Sequence, residues 1–519
     1  MVEGIFTSRI LRVLDMDVIH QLISGFYVVC EPTNLLACFV GVFIGTLIGV
    51  LPGIGPVGAM SILLPATLKA SPITSLILLA GIYYGAMYGG STTSILVNIP
   101  GEAASVVTCL DGYQMARQGR AGRALGISAF GSFIAGTLSI FGLMLLAPLL
   151  ASMALQFGPP EYFSLICLGL TLLIYMASGS IIRAFMMAAF GIITGCIGQD
   201  PHTGSSRFVF GIPDLLDGIG LAPFVMGLFG ISEVFMNIEQ QLTKRSIFNT
   251  KIKGLLPDRQ DWKDSIMPIL RGSVLGFFLG ILPGGGAVLS SFTSYAVEKK
   301  ISKHPEKFGK GAIEGVAGPE SANNSATGGA FIPMLTLGIP PNVTMALLLG
   351  ALMIHGVTPG PLFMRDHSQV FWGLVSSMYL GNVMLLVLNL PLIGLWVKVL
   401  KIPYKILFPL ILLFCLIGAY TINNSTVDII LMLIFGVLGY LMRKYKFEGA
   451  PMVLAFILGR MFENSLRQSL IMSDGSFLIF FTRPIAAGGM TLTILMLLSH
   501  VIPALRKKRK AIPLEEETT

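Results

Sequence analysis

Two clusters of neutral polar side chains lie in otherwise apolar sequence, and they are the residues best suited to bind a small solute. Hydroxyl and amide oxygens suit a hard monovalent cation such as Na⁺, whereas their hydrogens suit carboxylate oxygens. A single Ser or Thr in a membrane helix more often bonds its own backbone, so it is the clustering that favours a binding site. The candidates are Ser91, Thr92, Thr93, Ser94 and Asn98 in the first cluster, and Asn323, Asn324, Ser325, Thr327 and Asn342 in the second.

Each cluster is preceded by a Pro-Gly motif through which a helix cannot continue. The stretch "GTLIGVLPGIGP" at 45–56 has its glycines and first proline repeated 231 residues later in "GFFLGILPGGG" at 276–286. Unpaired backbone groups are costly in lipid, so each tip should face protein or a polar cavity, into which the restarting helix aims its N–H groups. The candidate ligands at the tips are Pro52, Gly53, Gly55, Pro283, Gly284, Gly285 and Gly286.

The glycines before each tip have a simpler interpretation. Gly45 and Gly49, like Gly276 and Gly280, are spaced four residues apart. This Gly-xxx-Gly spacing is typical of helices whose backbones pack closely in a membrane. For these two pairs we favour packing over ligand binding.

The composition identifies the protein as a polytopic membrane protein. Of 519 residues, 54% are hydrophobic and 12% charged, and the mean hydropathy is +0.78, whereas a globular protein carries about 25% charged residues. Apolar runs such as 127–155 exceed the ~20 residues that cross a bilayer. We therefore expect an all-α fold with about 10–12 transmembrane segments plus two re-entrant Pro-Gly hairpins.

Charge and cysteine usage exclude several other classes of protein. The net charge of +8 comes from short loops and the tail at 506–510, which is typical of cytoplasmic topology signals rather than of a nucleic-acid-binding face. The six cysteines lie apart in apolar segments, so neither a metal centre nor a disulfide framework is expected. Motifs for intramembrane enzyme catalysis are lacking, and we predict that the protein is not an enzyme and carries no cofactor.

The chain is built as an internal repeat. The second motif of the first half, "YGGSTTSILVNIPGE" at 88–102, matches "SATGGAFIPMLTLGIPPN" at 325–342, which adds Pro340 and Pro341 to the candidate site. The loop at 69–72 has one lysine, but its counterpart at 299–310 has five; the loop at 117–123 has three arginines, but its counterpart at 365–368 has one. Positive loops favour the cytoplasm, so the two halves should be inserted with opposite topology.

The predicted domain boundaries follow from this repeat. The first half covers 1–242, with a hairpin at about 33–69, a broken helix at about 73–117 and scaffold helices at 124–239. A cytoplasmic linker at 243–265 leads to the second half at 266–504, with a hairpin at about 266–298, a broken helix at about 311–360 and scaffold helices at 369–504. Residues 505–519 form a cytoplasmic tail.

Ionisable residues near the breaks are few. Charge inside the membrane is costly and functional by default, but Glu102 and Glu320 border predicted loops. Two interpretations are therefore open for them, a function within the membrane or solvation at the mouth of the site. Arg460, Glu463 and Arg467 stand at helical spacings of three and four, which predicts an internal ion-pair stripe.

The motifs, their order and the chain length resemble the large membrane subunit of the tripartite tricarboxylate transporter family. The resemblance rests on the motifs at 45–56 and 88–102 and on "GPESANNSATGGAFIPMLTLGIPP", and it extends over essentially the whole chain. It implies a multi-pass permease of the bacterial inner membrane that imports citrate-like di- and tricarboxylates with a Na⁺ or H⁺ gradient. It also implies two partners, a periplasmic substrate-binding protein and a small membrane subunit of about four helices.

The family resemblance implies that substrate and ion bind at the tips, at the two polar clusters and at residues 340–342. The second tip reads Pro-Gly-Gly-Gly-Ala where the first reads Pro-Gly-Ile-Gly-Pro, so the two half-sites are not equivalent, and which of them faces the carboxylates is left open.

The leading hypothesis is a secondary active transporter with an elevator-like movement of the hairpins and broken helices. The alternative is an anion channel or pore with re-entrant loops, which would conduct without coupling to a gradient.

Overall fold

The computed structural model of the chain describes residues 16–51, 55–176, 180–200, 202–239, 254–284, 286–400 and 404–501. Within these residues the fold is almost entirely helical, with one short antiparallel hairpin of β1 (Gly198–Gln199) and β2 (Ser206–Arg207). The first half contains α1 (Met16–Cys30), α2 (Pro32–Val50), α3 (Gly55–Leu63), α4 (Pro72–Val97), α5 (Val106–Arg117), α6 (Ala121–Ala154), α7 (Pro159–Met176), α8 (Ile181–Gly195), α9 (Leu221–Val225) and α10 (Ser232–Glu239).

The second half repeats this order of elements. It contains α11 (Arg259–Ile281), α12 (Gly286–Ile301), α13 (Glu314–Gly329), α14 (Phe331–Leu337), α15 (Val343–Ile354), α16 (Phe363–Asp366), α17 (Ser368–Asn389), α18 (Ile393–Val399), α19 (Tyr404–Asn423), α20 (Thr426–Lys444), α21 (Gly449–Met472), α22 (Ile479–Thr482) and α23 (Pro484–Val501). In both halves two helices joined by a Pro-Gly tip precede a helix that breaks and restarts.

Among the described residues, seven helices are long and apolar enough to cross a membrane: α2, α4, α6, α7, α11, α17 and α20. Shorter apolar helices accompany them, including α3, α8, α15 and α23. The chain is therefore an all-α multi-pass membrane protein, as its composition predicts. Re-entry of the two Pro-Gly hairpins into the bilayer stays a prediction.

The predicted Gly-xxx-Gly packing is present in both halves. A Cβ added to Gly45 or Gly49 of α2 would lie 2.6 or 2.3 Å from carbonyl oxygens of α4. A Cβ added to Gly276 or Gly280 of α11 would lie 2.2 Å from carbonyl oxygens of α13. Only glycine lets these backbones touch, so each half buries its broken helix against the first arm of its hairpin.

Contacts between turns show how the halves are related. The Gln118 side chain, after the first broken helix, donates to the backbone oxygen of Lys310, after the second hairpin, at 2.7 Å. Arg123 pairs with Asp258, at the start of α11, at 2.8 Å. Non-equivalent turns of the two halves thus meet at one end of the molecule, which is the arrangement that an inverted repeat requires.

The second half begins earlier than its predicted start at residue 266. The α11 helix starts at Arg259, because the Asp258 side chain caps it by accepting from the backbone N–H groups of Gln260 and Asp261. The predicted linker is correspondingly shorter.

The predicted ion-pair stripe on α21 forms only in part. Glu463 pairs with Arg467 at 2.6 Å, but Arg460 instead donates to backbone carbonyl oxygens. The network is completed by Arg207 of β2 and by the buried carboxylate of Asp200, which follows β1. These acids are thus compensated by arginine, an arrangement that holds the β1–β2 hairpin against α21.

Candidate functional site

The first broken helix ends with a left-handed residue and restarts at a capping carboxylate. After α4 ends at Val97, Asn98 adopts φ 58° and ψ 33°. The chain is then non-helical as far as Glu102, whose carboxylate accepts from the backbone N–H of Ala104 at 2.5 Å. Asn tolerates this left-handed conformation better than most residues, and the cap satisfies an N–H that the new helix leaves unpaired.

The second broken helix has the same backbone plan with different side chains. Gly338 ends α14 at φ 69°. Asn342 then caps α15, and its side-chain oxygen accepts from the backbone N–H of Met345 at 2.9 Å. Gly338 and Asn342 each follow their counterparts, Asn98 and Glu102, by 240 residues. The first restart is therefore capped by an acid and the second by a neutral amide.

The second tip approaches the break of its own half, and in the first half the end of α2 approaches α4 shortly before its break. The backbone N–H of Gly284 donates to the carbonyl oxygen of Pro341 at 2.9 Å. In the first half, the Thr93 hydroxyl donates to the carbonyl oxygen of Val50 at 2.8 Å.

The residues that begin the returning helices, Gly55 and Gly286, both have positive φ, 63° and 48°. Such values favour glycine. Three predicted tip residues, Pro52, Gly53 and Gly285, lie outside the described residues. Pro283 is half-buried beside the tip, and Pro340 is buried in the second break.

Side chains of the two halves meet between the breaks. The Asn342 amide donates to the hydroxyl of Tyr83, on α4, at 3.2 Å. The Asn323 amide donates to the Glu102 carboxylate at 3.2 Å. Ser91 of the first cluster hydrogen-bonds the carboxylate of Glu320 on α13. Each of these bonds joins a residue of one predicted cluster to a residue of the other half that lies outside the other cluster, more than 200 positions away.

Most of the other predicted hydroxyls bond the backbone. Ser94 and Thr327 each bond a carbonyl oxygen four residues earlier in their helix, and Ser325 bonds the carbonyl oxygen of Ser273 at 2.6 Å. Asn324 reaches Ser132 of α6 at 2.7 Å. Thr92 is buried, whereas Asn98 is exposed. Their part in binding stays a prediction.

Of the two interpretations of Glu102 and Glu320, the structure excludes solvation at the mouth. Both are buried, with 8% and 1% of their surface exposed. Glu320 lies in the second turn of α13 and receives hydrogen bonds from Ser91, from Thr108 of α5 and from Ser128 of α6. The sequence does not show which helices of the two halves pack together, and for that reason Glu320 was predicted to border a loop.

A small cavity borders the second cluster. It has a volume of about 20 Å³ and is lined by side chains that include Tyr84, Tyr88, Asn324, Thr327 and Asn382. This volume accommodates about one water molecule. The cavity is far smaller than a tricarboxylate, so a substrate of that size would enter only if the helices moved apart.

The fold and this interior define a class of protein: a polytopic helical membrane protein with two broken helices, one from each half, that meet at a polar centre. Residues 35–454 match the Tripartite tricarboxylate transporter TctA family. The chain therefore belongs to that family, as the sequence resemblance predicted, and is of the type of its large membrane subunit, in a system that also comprises a binding protein and a small subunit.

Two relatives come from Agrobacterium vitis. One, described as "Uncharacterized 52.8 kDa protein in TAR-I ttuC' 3'region", is 49% identical over 502 residues, which cover 97% of this chain and all of the relative. The other, described as "Uncharacterized protein in TAR-II ttuC' 3'region", is 50% identical over 242 residues, 47% of this chain and all of that relative. No solved structure matches the chain.

Proposed function

We propose that this chain is the permease subunit of a secondary active transporter that imports small di- and tricarboxylates, such as citrate, across the bacterial inner membrane. The observation that carries the proposal is that each helix restart bonds the broken helix of the other half in the interior of a TctA-family protein, Glu102 to Asn323 and Asn342 to Tyr83. Paired breaks of this kind form the central sites of secondary transporters. The gradient that drives import is Na⁺ or H⁺.

The difference between the two caps favours the second break as the substrate carboxylate site. Glu102 already supplies a carboxylate to the first restart, and its charge would repel an anion. Asn342 is neutral, so the positive end of the α15 dipole is not cancelled there. The free N–H groups of α15 and the amide of Asn342 would then bind one carboxylate of the substrate.

Transport would require movement of the hairpins against the scaffold. The central cavity holds about one water, so substrate entry needs an opening. The second tip rests on scaffold helix α7, where a Cβ added to Gly284 would meet the backbone of Leu173 at 2.8 Å, and Pro283 lies beside Gly169. We propose that this surface slides in an elevator-like movement. A periplasmic binding protein would deliver the substrate, and a small membrane subunit would complete the assembly.

Uptake into vesicles tests the function. The chain is co-expressed with its binding protein and small subunit, and labelled citrate, tartrate and succinate are offered with an imposed Na⁺ gradient, an imposed H⁺ gradient or neither. We expect accumulation of at least one carboxylate above its external concentration, driven by one of the gradients and independent of ATP.

Two outcomes would contradict the proposal. Flux that only equilibrates the carboxylate, whatever the ion gradient, would identify a channel. Accumulation that requires ATP would exclude secondary transport.

A further inference from the structure

Among the described residues, four buried acids have no cation beside them: Glu102, Glu320, Asp111 and Asp428. Glu102 and Glu320 are neighbours, because Asn323, which contacts Glu102, lies one turn after Glu320 on α13. Buried Asp200 and Glu161 are paired with Arg207 and Arg483, and buried Glu298 is paired with an arginine of the neighbouring hairpin arm. Among the described residues, no Lys, Arg or His lies within ion-pair distance of Glu102 or Glu320. Two buried carboxylates close together cannot both stay ionised without a cation, because burial and like charge both oppose it.

The hydrogen-bond partners indicate which of the two acids holds a proton. Glu102 accepts from a backbone N–H at a helix start and from the amide of Asn323. These groups can only donate, so they stabilise the ionised form. Glu320 is surrounded by the hydroxyls of Ser91, Thr108 and Ser128. A hydroxyl accepts as well as donates, so a protonated Glu320 can donate to one of them.

A second observation points to a bound hydrogen at this place. The side-chain oxygen of Asn323 is buried and has no hydrogen-bond donor, although the nitrogen of the same amide contacts Glu102. Asn323 is 1% exposed, and a buried acceptor without a donor is rare in a folded protein.

The other titratable groups near the pair are neutral at physiological pH when unperturbed. They are Tyr83 and Tyr88 of α4 and Cys109 of α5. Two further acids lie on the elements packed around the pair. Asp111 of α5 accepts from the hydroxyl of Tyr295 and from two backbone N–H groups, and Glu298 of α12 lies against Gly318 and is paired with Arg271. Neither lies among the hydroxyls and amides that surround Glu102 and Glu320.

We propose that Glu102 and Glu320 form the proton-binding site that couples transport to a proton gradient, with the carried proton on Glu320 and Glu102 ionised. This inference rests on the proposed function. Loading forms one O–H bond on the Glu320 carboxylate, and release breaks it without any transfer of electrons. One acid comes from each half of the repeat, and both lie on the broken helices. Ser128, beside Glu320, lies on scaffold helix α6, so an elevator-like movement against the scaffold changes the surroundings of the proton.

Coupled uptake in proteoliposomes tests the role in transport. Wild-type protein, with its partner proteins, takes up labelled carboxylate under an inward H⁺ gradient while an internal dye reports proton entry. With Glu320→Gln we expect a fall of at least tenfold in gradient-driven accumulation and loss of substrate-dependent proton entry. The matched control is Glu314→Gln, the same change six residues earlier in α13, for which both signals stay within about twofold of wild type.

Infrared spectroscopy of the purified protein tests the protonation without any transport. We expect a band from a protonated carboxyl group at neutral pH that is absent from Glu320→Gln and present in Glu314→Gln. Size-exclusion chromatography and thermal unfolding check that each variant is folded. If Glu320→Gln does not fold, Glu320→Asp takes its place, and its band and its pH profile of uptake should both shift.

The outcomes separate this inference from the proposed function. If wild-type protein moves no carboxylate under any gradient, the proposed function fails, and the infrared band still decides the state of Glu320. If wild-type uptake follows Na⁺ and ignores pH, or if the band survives in folded Glu320→Gln, the proton site is wrong although the transporter is right.

Discussion

The two helix breaks share a backbone but differ in charge. Each has a left-handed residue, then a non-helical tripeptide that begins with Ile-Pro, and then a side-chain cap, at positions 240 residues apart. The cap of the first restart is Glu102, and that of the second is Asn342. A duplicated scaffold therefore supplies the geometry twice, while single side chains assign different chemistry to each half. In this account the acid of the first break belongs to the proton site that it shares with Glu320, and the second break binds the carboxylate.

The largest expected effect tests the part that the halves share. Gly49→Leu and Gly280→Leu both place atoms where a carbonyl oxygen lies 2.3 and 2.2 Å from the added Cβ. Because helix backbones cannot yield as a flexible side chain can, each change should lower the free energy of unfolding by about 3 kcal/mol or more. Thermal unfolding in detergent measures this loss. Gly488→Leu on α23, where a Cβ meets open space, is the control and should stay near wild type.

A loss of stability in only one of these two variants would contradict the structural equivalence of the two halves. If Gly280→Leu unfolded the protein but Gly49→Leu left it intact, the two hairpin arms would not be structurally equivalent.

A smaller effect on stability is expected when the left-handed glycine of the second break is replaced by asparagine, the residue at the same place in the first break. In Gly338→Asn the new residue tolerates positive φ, but its Cβ lies 2.9 Å from the carbonyl oxygen of Pro359. The change should cost about 1–2 kcal/mol of unfolding free energy, measured by thermal unfolding. A neutral result would mean that the segment around Pro359 yields and does not fix the second break.

The reverse exchange should have the smallest effect. Asn98→Gly places glycine at φ 58° on the exposed surface, which relieves strain in the folded state but gives the unfolded chain more freedom. These terms oppose each other, and the unfolding free energy should change by less than about 0.5 kcal/mol. A loss above about 1 kcal/mol, the typical value of a lost cap, would show that the Asn98 side chain holds the first break in place.

The repeated elements could be predicted from the sequence because each depends on residues that are close together in the chain. Proline and glycine end helices wherever they occur, and a glycine every fourth residue lets two helices touch. The broken helices and the close pairs at Gly49 and Gly280 were therefore found at their places, whereas Pro52, Gly53 and Gly285 of the tips lie outside the described residues. The start of α11 was missed, because the capping role of Asp258 was not recognised among the charges of the linker.

The chemistry of the centre was less predictable because it depends on contacts between halves. Ser91 and Glu320 are 229 positions apart, and no spacing within either helix shows that they meet. Glu102 could have been predicted from the sequence, because aligning the two breaks pairs it with Asn342, which was already a candidate ligand. Ser94 and Thr327 show the opposite error. They were predicted as ligands because they are polar, but their hydroxyls bond the backbone of their own helices.

The charge at position 342 tests the account most directly. Asn342→Asp keeps a good helix cap but makes the second break acidic like the first, while Ser71→Asp changes the exposed cap of α4 and serves as the control. We measure the KM for carboxylate uptake by both variants, with unfolding temperature as the check on folding. The account predicts that Asn342→Asp raises KM at least tenfold without loss of folded protein and that Ser71→Asp leaves KM unchanged. A folded Asn342→Asp variant with wild-type KM would contradict it, because the carboxylate would then bind elsewhere.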